Sequence, residues 1–583
     1  MTLLRGRVAS ALLAGAVLVA APASGALAVD SPPDPGIATA AVTPGSGPVS
    51  VAVVMPLTVP PTTTGLIGAD ALATYTRPDG LLDRELDAVA GTAAAIGLDP
   101  MIPASIRVLG SSAPADALDF LARLRAAPNE VFLLGYADAD PALASVAGTD
   151  EELAPLGFDF AIDPANFGPA VTPSSTPTGS ASASPTPPPA DPDPAEPADP
   201  GAPPPLPSTA DLLAWPTTLP SIAWPAEGTV GADGLSGLES LGYDDVLLSG
   251  GNVSRAATAL VDLGSIDALV ADDDLTSAVR DAVYAPTETE YQAARVTLTA
   301  ALRAEAITAP GRTLIATLDR RWPFGTLRLS QVLAAIEDDT AAQVVPLTAV
   351  LGGPKASADV KPPADDQDAA RATVLRAMDA ANTAEATYLT IADDSAVITQ
   401  PRRLSLLALS AVGWRIDAVG WNAATTDALD AAADTLDTVQ IVEGSDQLLL
   451  SDISSLRLQV SNSLPVAVTV YLTVVPLRPL LHVEQSRVEV TIEPDSTTKA
   501  SVPVESITNG DVTVRVELHS ARGTAVGEPR FLNVILQAGW ETAGTVIAGA
   551  LVVLVFGGGL VRSIVRRRRA AAAKATGAGD DGA

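Results

Sequence analysis

Acidic and aromatic side chains recur where apolar segments of the sequence end. The segment VFLLGYADAD has a buried-strand pattern that stops on Tyr136, Asp138 and Asp140. In glycoside hydrolysis one carboxyl group protonates the leaving oxygen and a second is nucleophile or base, while an aromatic ring stacks on the sugar. The candidate catalytic residues are Asp99, Asp138, Asp140, Glu227 and Asp319, and the candidate ligand-binding residues are Tyr136, Trp224, Arg320 and Trp322.

The same acids have a structural explanation. Asp99 in LDP and Asp140 in DADP both precede proline, and Asp followed by Pro is a common helix entry in which Asp caps and Pro occupies the first turn. We therefore interpret Asp99 and Asp140 as helix caps. For Asp138 we keep both interpretations, catalysis and helix capping, because this residue lies within a run of acids.

The sequence lacks the residues that several other kinds of catalytic site require. The chain has no cysteine, and its two histidines, His482 and His519, lie outside the segment 48–442 that contains the candidate site. This excludes a Ser-His-Asp, Cys-His or histidine-based zinc site there. LLSGGNVS lacks the GK[ST] of a P-loop, and the acids of ADDDL at 271–275 fit a solvated helix start better than a metal site. We expect no metal and no cofactor.

The charge balance is strongly acidic. Lys and Arg number 35 against 68 Asp and Glu, which gives a net charge of -33. Such a surface repels phosphate backbones. We therefore do not expect nucleic acid as a partner.

The candidate residues follow apolar runs that alternate with helix-period segments, a pattern typical of βα units. Parallel strands with crossover helices predict an α/β fold, and the length without the insertion described below is close to the roughly 250 residues of a TIM barrel. We predict a TIM-like barrel, with an irregular seven-stranded barrel or an open doubly wound sheet as alternatives. The eight predicted strands are 50–57, 94–99, 130–136, 221–225, 245–250, 266–271, 313–319 and 342–347.

Three further segments of the sequence predict an insertion, a group of helices and a second domain. Residues 172–207 are rich in Pro, Ser, Thr and Asp and predict a disordered insertion, with or without O-linked sugars. Alanine-rich helices between 365 and 442 are expected to pack on the barrel, so the first domain covers 48–442. Short alternating segments across 446–538 predict a cysteine-free immunoglobulin-like or fibronectin-like β-sandwich.

The two ends of the sequence predict export and membrane anchoring. Residues 1–28 have two arginines, an apolar run and an A-L-A site, the order of a signal peptide, so the mature chain is expected to begin at Val29. Residues 543–561 carry no charge and are long enough to span a bilayer. The tail 562–583 begins with Arg562 and continues with RRRR, which predicts a cytoplasmic C-terminus and a type I single-pass protein of the cell membrane.

The order of several motifs resembles a known family. GLDP, GYADADPAL, IAWPAEGTVGADGLSGLESLGYDDVLLS, LIATLDRRWP and VSNSLPVAVTVYL follow one another before the apolar helix with its basic tail. This order is similar to that of an uncharacterised family of actinobacterial single-pass envelope proteins, the domain of unknown function 6049. The resemblance implies that the TIM-like barrel is of a degenerate glycosidase-like or deacetylase-like kind. The family has proline before the tyrosine and a D-P-D ending, whereas this sequence has Gly135 and Ala139 at those positions.

The resemblance implies a place in the cell but no reaction. Genes of the family tend to lie beside the lipid II flippase gene, which implies a role in peptidoglycan biogenesis and, as partners, cell-wall glycan and membrane proteins of peptidoglycan export. The expected function is a non-catalytic, membrane-anchored extracytoplasmic scaffold or glycan-binding protein. The alternative is a glycoside hydrolase that uses two of the candidate carboxylates on an envelope polysaccharide.

Overall fold

The computed structural model describes residues 47–148, 154–168, 206–254, 257–320, 322, 325, 327–363, 367–537 and 540–575. The predicted signal peptide 1–28 lies outside these residues, as do all but the last two positions of the predicted insertion 172–207. The predicted tail 562–583 is described as far as residue 575.

All eight predicted strands are present in the N-terminal body, mostly shorter than predicted. Their apolar runs are buried on both faces, as expected for parallel strands covered by helices. Two short strands, β6 and β10, were not predicted. The strands are β1 Val49–Leu57, β2 Ala95–Leu98, β3 Val131–Leu133, β4 Ile222–Ala223, β5 Asp245–Ser249, β6 Leu260–Asp262, β7 Asp267–Ala271, β8 Thr313–Thr317, β9 Ala342–Val344 and β10 Lys355–Ser357.

These strands form two five-stranded sheets. The first has the order β3-β2-β1-β8, with β9 also paired to β1, and the second has the order β10-β6-β7-β5-β4. Every pair is parallel except β6 with β7. One apolar cluster contains Val54 and Phe132 from the first sheet and Leu247 and Leu269 from the second. The sheets are therefore curled half-barrels that share a packed interior.

The predicted TIM barrel is not present as one continuous eight-stranded ladder in the described residues. In a closed barrel β8 would pair with the free edge of β7, but β6 occupies that edge and pairs with β7 antiparallel. A backbone hydrogen bond from Asp272 N to Ile315 O, 2.9 Å, joins the two sheets just beyond the end of β7. At the other junction β4 has only two residues and lies between Pro220 and Pro225, which lack N–H donors. At this junction Thr218 N donates to Val131 O at 3.0 Å, but β3 and β4 are not paired as neighbouring strands.

Helices cover the half-barrels and follow them in the chain. The helix α12 contacts α5, α13 and α14, so the predicted alanine-rich helices pack on the body. The helices of this part are α1 Ala69–Thr76, α2 Leu81–Val89, α3 Met101–Val108, α4 Ala115–Ala126, α5 Pro141–Ala147, α6 Thr209–Leu213, α7 Ala232–Ser240, α8 Asp273–Val283, α9 Glu288–Thr308, α10 Leu329–Glu337, α11 Leu347–Leu351, α12 Gln367–Tyr388, α13 Ala396–Leu409 and α14 Ala418–Leu436.

The segment predicted as a sandwich forms two sheets around a separate apolar core. One sheet has the order β11-β13-β17-β15 and the other β12-β19-β18-β14-β16. Alternate residues of each long strand are buried, which is the period of two read from the sequence. The strands are β11 Val439–Ile441, β12 Gln447–Leu449, β13 Ile453–Asn462, β14 Val468–Pro476, β15 Leu481–Val483, β16 Val488–Ile492, β17 Ser496–Ser506, β18 Gly510–His519 and β19 Ala525–Leu536.

The helix α15, Trp540–Ala575, follows the sandwich. Within it, Gly544–Arg569 is apolar and long enough to cross a membrane, and its most apolar stretch is not buried against the rest of the protein. This helix is a candidate membrane anchor.

Candidate functional site

The candidate residues Asp99, Tyr136, Asp138, Trp224, Asp319 and Arg320 all follow the carboxyl ends of parallel strands. Asp99 comes after β2, Tyr136 and Asp138 after β3, and Arg320 after β8. In α/β folds this edge of the sheet collects the functional side chains. The structure brings Asp138, Trp224 and Arg320 into direct contact, and we call these three residues the Arg320 cluster.

Arg320 is the centre of this cluster. Its Nε lies 2.9 and 2.7 Å from the two carboxylate oxygens of Asp138, and its Nη2 donates to the Trp224 carbonyl oxygen at 2.8 Å. The guanidinium carbon lies 5.0 Å from the Trp224 ring centroid, a cation-π contact. The side chains of Arg320 and Asp138 are only 9% and 7% exposed. Arg320 thus connects the first sheet to β4 of the second and occupies the strand-end space between them.

A strained turn directs Asp138 toward Arg320. Ala137 and Asp138 both have positive φ, 58° and 54°, a conformation that costs energy for residues other than glycine. Asp99 stabilises the turn, since its Oδ1 accepts bonds from Ala137 N at 2.9 Å and from Met101 N at 2.8 Å. Asp99 was predicted as a helix cap, but the N-cap position of α3 is Pro100. The Asp99 carboxyl group instead holds the start of α3 and the backbone that carries Asp138.

Burial changes the acid-base properties of both carboxyl groups. Loss of solvation raises the pKa of Asp99 to about 8, with a further contribution from nearby Asp138, although backbone N–H donors oppose the shift. Burial raises the pKa of Asp138 to about 6, and Arg320 limits that shift. At neutral pH Asp138 is therefore ionised opposite Arg320, while Asp99 is mainly protonated.

Tyr136 is packed into the N-terminal body. Its hydroxyl donates to the Gly65 carbonyl oxygen at 2.7 Å, and its ring centroid lies 5.9 Å from that of Phe158. Burial raises the pKa of the Tyr136 phenol well above its usual value. One edge of Tyr136 borders a largely apolar cavity of about 490 Å³, which Leu133 and Tyr243 also line.

Asp140 caps α5, the role that the DADP sequence predicts. Its Oδ1 accepts from Ala142 N at 3.0 Å, and its other oxygen lies 3.7 Å from Arg415 Nη2. Arg415 also pairs with Asp368 on α12. Asp140 therefore joins α5 to the helical segment.

We expect Asp140→Ala to lower the free energy of unfolding by about 2 kcal/mol, because it removes a cap inside the protein and leaves the Ala142 N–H unsatisfied. Urea unfolding of the full chain in detergent measures this loss. The matched control is Asp163→Ala, where Asp163 makes the same bond to Ala165 N before a proline but is exposed. That change is expected to cost about 0.5 kcal/mol, and equal losses at the two sites would contradict the assignment.

Glu227 belongs to a second, more open group at the strand ends. Its side chain is 54% exposed and pairs with Arg280 of α8. Arg280 Nε also donates to the Thr317 carbonyl oxygen at 2.8 Å. A polar cavity of about 260 Å³ lies beside them, lined also by Ser249 and Asp273. Hydroxyl, carboxylate and guanidinium groups converge there, and together they offer the hydrogen-bond donors and acceptors that sugar hydroxyls require.

The remaining candidates hold loops together. The Trp322 indole Nε1 donates to Thr58 Oγ1 at 3.3 Å, just beyond β1. The backbone carbonyl of Asp319 accepts from the Tyr284 hydroxyl at 3.2 Å. Of the ADDDL acids, Asp272 caps α8 by accepting from Leu275 N. No group of three or more His, Asp or Glu in the described ranges is arranged to hold a metal ion.

Sequence reasoning missed Arg280 and Arg415. Both are positively charged residues inside mostly apolar segments, LTSAVRDAV and VGWRI. A charge at such a position usually has a buried or half-buried partner. That signal could have marked both residues as ion-pair donors, but not their partners.

Solved structures resemble the chain only distantly. A fragment of native alpha-2-macroglobulin from Escherichia coli is 16% identical, with 17% of each chain covered and a TM-score of 0.15. WR4, a Caenorhabditis elegans MSP family member, is 5% identical, with 17% of this chain and 97% of that chain covered and a TM-score of 0.14. A double mutant of the Cellulomonas fimi endo-beta-1,4-mannanase is 10% identical, with 84% and 94% covered and a TM-score of 0.17.

The chain spans about a sixth of the alpha-2-macroglobulin fragment, and likenesses of this size carry no conclusion about function. No curated protein sequence matches the chain. A family model does match it, over residues 37–573, which is most of its length. The chain therefore belongs to DUF6049, a family of unknown function.

Proposed function

We propose that this protein is a non-catalytic, membrane-anchored extracytoplasmic scaffold or glycan-binding protein of cell-envelope and peptidoglycan biogenesis. Cell-wall glycan and membrane proteins of peptidoglycan export are its proposed partners. In this proposal the two half-barrels are a degenerate TIM-like barrel, and the sandwich is an immunoglobulin-like stalk. The signal-peptide pattern, the apolar helix and the arginines after it support a type I topology in an actinobacterial cell membrane.

The observation that carries the proposal is the buried Arg320 cluster. A glycosidase needs two carboxyl groups facing an open cleft, with a water or a sugar between them. Here Asp138 is bound on both oxygens by Arg320, Asp99 accepts backbone bonds, and Asp140 caps a helix. These acids are occupied by structural partners, which supports binding over hydrolysis.

Glycan binding is assigned to the polar cavity beside Glu227 and Arg280. The cavity opens at the same strand ends as the Arg320 cluster, and its lining offers both donors and acceptors. The volume of about 260 Å³ suits one sugar unit better than a whole oligosaccharide. We expect the glycan chain to continue over the surface.

Glycoside hydrolysis is the second candidate, and one observation favours it. Asp99 has a pKa of about 8, so it carries a proton at neutral pH as a general acid must. Its carboxyl group is buried, however, with only 1% exposed. Hydrolysis would require the Arg320 cluster to open before a sugar could reach Asp99.

Sedimentation with insoluble peptidoglycan or arabinogalactan tests the binding proposal. We expect the full chain in detergent to sediment with at least one of these glycans, and retention to fall about tenfold in Arg280→Ala, because one lost charged hydrogen bond is worth roughly 1.5 to 3 kcal/mol. The matched control is Arg295→Ala, an exposed arginine of α9 that bonds to Gln292. The same assay can capture solubilised membrane proteins of peptidoglycan export. Retention of neither glycan nor protein would contradict the proposal.

A further inference from the structure

One end of the sandwich carries exposed apolar side chains in three separate loops. Leu450 directly follows β12 and is 65% exposed, and Ile453 begins β13 and is 68% exposed. Leu477 after β14 is 56% exposed, and Ile507 between β17 and β18 is 62% exposed. Large apolar side chains grouped at one place on a surface mark a site of interaction. We call these four residues the apolar rim.

Backbone hydrogen bonds join these loops to one another. Ser506 N, beside Ile507, donates to Asp452 O at 2.7 Å, and Ile507 N donates to Leu480 O at 2.9 Å. Leu477 N donates to Thr513 O at 2.9 Å. The four apolar residues thus belong to one connected end of the sandwich and are not scattered over its surface.

The strand that leads to the membrane helix leaves the sandwich at this same end. Gln537 N, directly after β19, donates to Leu449 O at 2.8 Å, next to Leu450 of the rim. The helix α15 begins at Trp540, three residues further on, and its apolar span begins at Gly544. An extended chain of this length reaches at most about 25 Å, so the rim cannot be far from the membrane surface.

The opposite end of the sandwich differs in both contacts and composition. There Asp393 N donates to Ala467 O at 3.0 Å, so that end meets the helical segment of the N-terminal body. Within the described residues, the loops 463–467, 493–495 and 520–524 at that end carry no exposed large apolar side chain. Of the loops compared at the two ends, those nearest the membrane helix carry the exposed large apolar side chains.

We propose that the apolar rim inserts into the lipid surface, so that the sandwich rests on the bilayer and holds the N-terminal body away from it. β18 has ten residues and spans about 30 Å from the rim to the far end. Asp452, Arg478 and Asp511 border the rim and would remain at headgroup level. The inference rests on the proposed membrane anchoring, since α15 must enter the bilayer for the rim to reach it.

Site-specific fluorescence tests this contact, and the absence of native cysteine allows single labels. Ile507→Cys and Leu477→Cys carry an environment-sensitive fluorophore in the full chain, reconstituted in phosphatidylcholine and phosphatidylglycerol vesicles. Ala521→Cys, exposed at the far end of the sandwich, is the matched control. We expect both rim labels to emit at shorter wavelength and to lose fluorescence with doxyl-labelled lipids, while the Ala521 label stays unquenched.

Each other outcome overturns the inference in a distinguishable way. Protein that floats with the vesicles but has aqueous, unquenched rim labels would keep the anchor and reject rim insertion. Rim labels with shorter-wavelength emission but no lipid quenching would indicate a second copy of the chain as the occupant. Protein that fails to float would reject both membrane anchoring and rim insertion.

Discussion

Arg320→Ala is expected to lower the free energy of unfolding by about 3 to 5 kcal/mol, because it leaves the Asp138 carboxylate buried without its partner. Arg320 also bonds to the Trp224 carbonyl and covers the Trp224 ring, so both contacts are lost as well. Urea unfolding of the full chain, followed by tryptophan fluorescence, measures the change. Trp224, one of the six tryptophans of the chain, lies in the cluster and contributes to this signal.

Two further variants distinguish the loss of the ion pair from a general effect of removing an arginine. Arg295→Ala removes an exposed arginine from the same body and is expected to change stability by no more than about 0.5 kcal/mol. Arg320→Met combined with Asp138→Leu removes both charges and is expected to regain most of the loss, because no unpaired charge remains. An Arg320→Ala variant as stable as Arg295→Ala would show that the cluster does not close the strand ends.

Asp99→Asn is expected to stabilise the protein increasingly as pH rises from about 4 to above 8. The pKa of Asp99 is raised to about 8 in the folded state, against about 3.9 in an unfolded chain. The folded state therefore holds the proton more tightly, and the stability from Asp99 is full below pH 4 and is lost as pH rises through 8. Asparagine has no proton to lose, so the gain reaches the order of several kcal/mol near pH 9.

The geometry of Asp99 makes this substitution informative. The backbone bonds from Met101 and Ala137 go to Oδ1, which asparagine retains. Asp99→Ala likewise has no proton to lose but also removes that acceptor, so it is expected to be roughly 1 to 3 kcal/mol less stable than Asp99→Asn at every pH. Unfolding measured from pH 4 to 9 distinguishes the two variants. An Asp99→Asn difference that does not change with pH would contradict the raised pKa.

The strands and caps could be predicted because their signals are local. In the run SVAVVMPL every residue after Ser50 is apolar, which is typical of a strand buried on both faces. Asp before Pro likewise identified the cap at Asp140 from two adjacent residues, whereas Asp99 lies one residue before the N-cap position of α3 and accepts from Met101 N there. The alternation in β13 and β18 marked the sandwich for the same reason.

The contacts between distant segments could not be predicted. Arg320 and Asp138 are 182 positions apart, and nothing in either motif names the other. The division into two sheets depends on β6, a three-residue strand without its own sequence signal that pairs antiparallel to β7. The apolar rim depends on which loops meet at one end of the sandwich, which follows from strand order and not from composition.

Release of reducing ends from peptidoglycan and arabinogalactan, measured with the full chain in detergent, tests the central proposal most directly. A binding protein whose strand ends are closed by Arg320 and Asp138 is predicted to sediment with a glycan and to release no reducing ends above a protein-free control. Asp138→Asn leaves Arg320 buried without its charged partner, so the variant is assayed where urea unfolding shows it to be folded, and there it is predicted to give the same result. Reducing ends that appear with the unmodified chain and disappear with Asp138→Asn would contradict the proposal and establish a glycoside hydrolase.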